Sequence, residues 1–321
     1  YGLSETGRFP AKLIPDNHKP DVSTDGSFPP ISKINEEIRR LTLAAYAPLR
    51  YVLAHKRDEY DRRYSQTAKA GESVFRQLDR EESLVALMRV NLLKRMESSV
   101  HAFGLTVGRQ LSAVEALIAR IDAHDDSIET PPIDGLAEDD PLFETLGIGR
   151  NVKVLLSDAD LIAWRNDLEA DRTRLARLLR QARDVTTEKD AKLAALRDVI
   201  AAKRADPINP GNRKLLVFTA FADTAAYLYE ALEGEIDGVS ARVTGAGIIR
   251  VSSPKFKSDL GTILTAFAPI TRKRPESLAN EPQIDLIIAT DCISEGQNLQ
   301  DCDCVVNYDI HWNPVRIVQR F

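Results

Sequence analysis

The apolar positions of this chain repeat in two rhythms, and the change falls near residue 206. Before it, they recur at the three- and four-residue steps of amphipathic helices. Ile31, Ile34, Ile38 and Leu41 open the series, and Pro48 should kink or end that helix. A second helical run spans about 74–123. Its clearest stripe is Val107, Leu111, Val114, Ile118 and Ile121, while Gly104 and Gly108 weaken its middle. A third covers about 157–204. There Leu161, Leu168, Leu175 and Ala182 fall seven apart, with Trp164, Leu178 and Val185 on the neighbouring seam. That spacing predicts a projecting coiled-coil-like arm or helical hairpin. Between the second and third runs, the acidic stretch 125–140 reads as a surface loop.

After Asp206-Pro207-Ile208-Asn209-Pro210-Gly211 the pattern becomes short apolar runs that end in polar loops. Residues 214–218 (KLLVF) precede Thr219-Ala220-Phe221-Ala222-Asp223, and 240–243 precede Thr244-Gly245. Ile284–Ala289 precedes Thr290-Asp291, and Cys304-Val305-Val306 precedes Asn307-Tyr308-Asp309. Helical spacing returns at 225–232 and 260–267. Strands alternating with helices predict an α/β sheet with mainly parallel pairing, whose ligands bind at the carboxyl ends of the strands. Three regions follow: an extended, Pro- and Gly-rich lead-in over 1–30, a helical region over 31–205 with its arm at about 157–204, and an α/β unit over 206–321.

Length and composition add bounds. The 321 residues can bury a real core and suggest two domains. Net charge is −5, so global electrostatics does not point to nucleic acid, and any such contact needs a local patch. Arg172, Arg174, Arg177, Arg180 and Arg183 could form one. Asp167, Glu169, Asp171 and Asp184 dilute them, which favours a solvated face over a phosphate-tracking one. The three cysteines, Cys292, Cys302 and Cys304, lack the spacing of a zinc site and read as buried reduced thiols on strands. A reducing, cytoplasmic compartment is therefore expected. No apolar run approaches the roughly 20 residues of a membrane span. A first residue of Tyr1 and a blunt end at Phe321 suggest an excised fragment.

Among motifs, the chain has no G-x-x-x-x-G-K-[ST] phosphate loop, and Glu138-Asp139-Asp140 follows no strand that could aim it at magnesium. Ser294-Glu295-Gly296-Gln297-Asn298 is the more specific loop. Its hydroxyl and backbone N–H groups beside a glycine suit phosphate oxygens, and an Asn at its far end can bond a sugar hydroxyl. The competing reading is a polar loop with a structural glycine. His311-Trp312 reads as a packed turn.

The segments KLLVFTAF, RVTG, IIATDCISEGQNLQ and NYDIHWNPVRIVQRF, in this order, resemble the second RecA-like lobe of superfamily 2 helicase-like ATPases. The Swi/Snf-type branch is most similar, particularly its bacterial, RNA-polymerase-associated members. The resemblance covers about 213–321, with a weaker echo at NLLKRMESS (91–99), similar to the basic helix ending the family's first lobe. It implies a RecA-like, mainly parallel sheet with flanking helices. It implies a nucleic-acid track at Thr219 and Phe221, and phosphate contacts at Thr244, Gly245 and Thr290. It places Ser294 and Gly296 between the DNA backbone and the nucleotide cleft, and Asn298 at the ribose. Gln319 would open the sixth motif; Arg316 and Arg320 do not match the family's catalytic arginines, which would lie beyond Phe321.

What is implied is therefore part of a DNA-dependent ATPase that translocates on duplex DNA. ATP and Mg2+ would be held jointly with a first RecA-like lobe, and RNA polymerase or other complex subunits are possible partners. A protein-interaction scaffold and a helicase subunit of a defence or restriction complex are the alternatives. With no phosphate loop of its own, the purified chain is expected to show no DNA-stimulated ATP hydrolysis; stoichiometric phosphate release in a turnover assay would refute this.

Overall fold

The computed structural model describes residues 14–64, 66–67, 74–75, 77–132, 152–245, 249–276, 280–293 and 297–310. Residues 14–30 contain no helix, and Phe28 inserts its ring into the first core. Helix α1, Ile31–Arg39, buries Ile34 and Ile38 on one face. It ends before the predicted kink at Pro48, because Leu43 takes a left-handed backbone conformation (φ 52°) and short 3-10 turns follow. Helix α2 is Arg57–Tyr64, and a small ladder pairs β1, Gln66–Thr67, with β2, Val74–Phe75.

The single long run expected over 74–123 is two helices: α3, Gln77–Ser98, and α4, Val100–Asp122. Ser99 breaks them. Its backbone is extended and its hydroxyl accepts a hydrogen bond from Ala102 N–H, capping α4. Part of the predicted acidic loop is a strand, since β3, Ser127–Glu129, pairs antiparallel with β4, Lys153–Leu155. The rest of that loop, 133–140, lies outside the described residues.

Helix α5, Leu161–Arg183, carries the seven-residue seam, but it is no projecting arm. Trp164, Leu168, Leu175 and Leu178 are fully buried in the core of the helical unit. The glycines of α4 explain this. A Cβ on Gly104 would stand 3.3 Å from the Ala182 Cβ, so the missing side chain lets α5 lie close. The polar residue inside the seam is also fixed. Asp171 accepts hydrogen bonds from Thr42 N–H (2.8 Å), the Thr42 hydroxyl (2.8 Å) and Ala44 N–H (3.0 Å). Trp164 stacks on Tyr51 and donates its indole N–H to Ala44 O.

Helix α6, Ala191–Ala205, was expected in the same arm. Instead its Leu193, Leu196 and Ile200 join the core of the α/β unit. Residues 184–190, between α5 and α6, therefore separate the two units, earlier than the Pro-rich stretch at 206. Then come β5, Leu215–Phe218; α7, Ala222–Leu232; β6, Val239–Val243; β7, Ile249–Val251; α8, Leu260–Phe267; β8, Ile284–Ala289; and β9, Val305–Asn307.

The sheet order is β7-β6-β8-β5-β9. All neighbours are parallel except β7, an antiparallel edge strand with no counterpart in the sequence reading. Alternate residues feed two layers, as a period of two requires. Leu215, Val217, Leu286 and Ile288 face α6 and α7, whereas Leu216, Phe218, Ile287 and Ala289 face α8. The fold is thus α/β, with a mainly parallel sheet between helical layers. Among the described residues, no helix is long and apolar enough to cross a membrane.

One buried group sets a pH dependence. Glu81 on α3 is 2% exposed; one oxygen accepts from Leu49 N–H, and Oε1 has no hydrogen-bond partner among the described residues. Burial raises its pKa well above the ordinary carboxyl value. A raised folded-state pKa gives stability that is full below the unfolded value and declines as pH rises toward the folded one. Glu81→Gln should therefore stabilise the chain by about 1–2 kcal/mol at pH 8, with the gain vanishing near pH 4. Thermal unfolding at both pH values measures it.

Candidate nucleic-acid interface

The parallel strands end in register. Val243 pairs with Ala289, Ala289 with Phe218, and Phe218 with Asn307. The next residue of each strand therefore falls on one row: Thr244, Thr290, Thr219 and Tyr308. Backbone bonds carry the ladder one step further, from Thr290 N–H to Val243 O (3.1 Å), Thr219 N–H to Ala289 O (3.0 Å) and Tyr308 N–H to Phe218 O (2.8 Å). This is the carboxyl edge, where open α/β sheets bind ligands.

The row divides into two halves. On the β6/β8 half, Gly245 is exposed and Thr290 half-buried, while Thr244 is 4% exposed. Gly245 N–H donates to the Thr290 hydroxyl at 3.2 Å, and the Cys292 thiol reaches back to Val243 O. Asn298 is exposed nearby in sequence, on the loop after β8. That loop is pinned at Asp301, which accepts from Ile270 N–H (2.7 Å), Thr271 N–H (2.9 Å) and the Thr271 hydroxyl, while Arg272 donates to Gln297 Oε1.

The β5/β9 half is covered. Thr219 has no exposed surface and Phe221 is 6% exposed, so neither presents an open track in this arrangement. The end of α3 lies over them. The Asp309 carboxylate accepts from the Ser98 hydroxyl (2.5 Å), the Thr219 hydroxyl (2.5 Å) and Ala220 N–H (2.8 Å). Ser98 also bonds the Thr224 hydroxyl at 2.9 Å. Arg95 bonds Asp223 at 2.8 Å and stands 4.8 Å over the Phe221 ring, and Arg109 shares the same carboxylate. Burial lowers the pKa of Arg95, against the favourable charge of Asp223. Lys192 donates to the carbonyls of Glu97 and Ser98, which have no helical partner at the end of α3, and lies over the Tyr308 ring. Burial pushes the Lys192 pKa down.

Ser98 and Asp309 were missed as site residues. Ser98 is the penultimate residue of the NLLKRMESS stretch and Asp309 ends NYD, but their meeting spans 211 positions and has no local spacing to betray it. Ser294, Gly296 and Gln319 lie outside the described residues, as do Glu295, His311-Trp312, Arg316 and Arg320. The thiols are free but not buried as expected: Cys292 is exposed, and Cys302 and Cys304 are partly exposed. Desolvation pushes the Cys302 thiol up to about 12. Among the described residues no three His, Cys, Asp or Glu side chains could hold a metal ion. The α5 arginines are partly neutralised in place, with Arg172 paired to Glu169 and Arg177 to Glu37.

The parallel sheet, with a row of polar residues at its carboxyl ends, is an open α/β sheet covered by helices on both faces. Residues 191–321 match the family model of the helicase conserved C-terminal domain, beginning at the first residue of α6. A 38-residue stretch is 50% identical to the uncharacterized ATP-dependent helicase YqhH of Bacillus subtilis (strain 168), covering 12% of this chain and 7% of that protein. The crystal structure of the Hef helicase domain of Pyrococcus furiosus aligns with a TM-score of 0.43 and 14% identity, over 90% of this chain and 49% of that one. This chain therefore spans about half of that structure's length and matches a small part of the curated relative. The similarity to the helicase conserved C-terminal domain thus lies in the α/β part of the chain, residues 191–321.

The Asp309 network yields a stability prediction. Asp309→Ala removes three acceptor contacts and strands two buried hydroxyls, so it should destabilise the chain by about 2–4 kcal/mol, with Asp309→Asn intermediate. Urea unfolding of the three forms tests that order.

Proposed function

We propose that this chain is the carboxyl-terminal part of a DNA-dependent ATPase that couples nucleotide hydrolysis to movement along DNA. The observation that carries this reading is that Gly245 and Thr290 lie together and accessible, beside the buried Thr244, at the carboxyl edge of the segment that matches a helicase C-terminal domain. Hydroxyls and a backbone N–H beside a glycine suit phosphate oxygens, which carry no sequence information, so binding is to the DNA backbone.

The nucleotide would sit between this lobe and a first RecA-like lobe. The donors on this edge fit a phosphate and, through the exposed Asn298 amide, a sugar hydroxyl. They do not make a site for Mg2+, which would arrive with the nucleotide on ligands of the first lobe. ATP supplies a transferable phosphoryl group when bound; the residues described here orient and grip. Closing and opening of the two lobes would then move the protein along the backbone. The Swi/Snf-type branch, with RNA polymerase as a partner and a cytosolic location, remains the assignment that the four sequence segments favour.

The chain should bind DNA weakly and without sequence preference. With two or three phosphate contacts, log K should fall against log salt with a slope of about −2 to −3. Thr290→Val should reduce affinity about threefold or more at low salt while leaving the melting temperature unchanged. Fluorescence anisotropy over a salt series measures both, and base-specific or salt-independent binding would overturn the reading.

A further inference from the structure

Among the described residues the helical unit and the α/β unit share no hydrophobic core. Buried apolar residues from Phe28 to Ala182 form one cluster, and those from Leu193 onward form two others around the sheet. What joins the units at the carboxyl edge is polar: the hydroxyls of Ser98, Thr219 and Thr224, the Asp309 carboxylate, the ion pairs of Arg95 and Arg109 with Asp223, and the Lys192 ammonium on the carbonyls of Glu97 and Ser98. One stacked pair, His101 on Tyr227 at 4.6 Å, adds to it. Among the described residues the chain crosses between the units once, through 184–190. Contacts of this kind can be exchanged for water, so parting them costs far less than opening an apolar core.

The joint also lies where it controls access. It covers Thr219 and Phe221 and leaves Gly245 and Thr290, on the other half of the row, accessible. It holds two guanidinium groups, Arg95 and Arg109, on one carboxylate, Asp223. We propose that the end of α3 is a shutter over the β5/β9 half of the carboxyl edge, and that a DNA backbone bound along the whole row displaces it. The parted state frees the Thr219 hydroxyl, the Phe221 ring and one or both arginines to meet phosphate and sugar. This rests on the reading of the edge as a DNA-backbone surface.

The Ser98 and Thr224 side-chain oxygens are 2.9 Å apart, so Ser98→Cys with Thr224→Cys places two sulfurs within bonding reach. Oxidation would lock the shutter, with the crosslink located by peptide mapping. DNA affinity of the full chain at low salt should fall about tenfold or more on oxidation and return on reduction, because the competent population is removed. Equal binding in both states would overturn the shutter and leave the DNA reading standing. Binding in neither state, with the unsubstituted chain also silent, would remove the DNA reading and the shutter with it. Hydrogen exchange on the unsubstituted chain gives an independent check should the double variant fail to fold. Added DNA should speed exchange at the end of α3, residues 95–98, while slowing it at 219–224. Slower exchange on both sides, or no change on either, would overturn the proposal.

Discussion

A carboxylate taken out of water must be met by donors, and Asp309 is met by three. Two are hydroxyls from opposite units, Ser98 at the end of α3 and Thr219 at the end of β5; the third is a backbone N–H that shapes the turn after β5. The same carboxylate therefore fixes where β9 ends, how β5 turns into α7, and where the helical unit rests. Around it the geometry becomes consistent. Beside it, Arg95 reaches Asp223 and Phe221, and Lys192 closes the carbonyls of Glu97 and Ser98 at the end of α3.

The remaining architecture separates rigidity from access. Four parallel strands, of which β5, β6 and β8 are largely buried and β9 half-exposed, hold their last residues in register, so loop chemistry from 219, 244, 290 and 308 is delivered to one line. The helical unit gains its own rigidity from the close approach of α5 to the glycines of α4 and from Asp171 binding the backbone after α1. The two rigid bodies then meet through polar contacts on the edge where a ligand would lie.

Local pattern carried much of this. The strand 284–289 and the helix 260–267 were readable because buried parallel strands are continuous apolar runs and short amphipathic helices keep their spacing. The turn at Ser99 and the strand β7 were not. A capping serine inside an apolar stripe does not change its period, and β7 is a half-exposed edge strand with little apolar signal. The seven-residue seam of α5 was correct as a pattern and misleading as an arm. A buried helix and a coiled coil show the same stripe, and what decides is whether a neighbour such as Gly104 offers room.

The sequence by itself determined the α/β class, the polar carboxyl ends of the strands and the chemistry those ends can offer, because each depends on residues adjacent in the chain. Tertiary structure alone decided which of those ends are open. It brought residue 98 to residue 309, placed α6 with the sheet rather than with α5, and buried Thr219 while leaving Gly245 in solvent. Exposure is a property of what packs against a residue. Neither composition nor spacing records that.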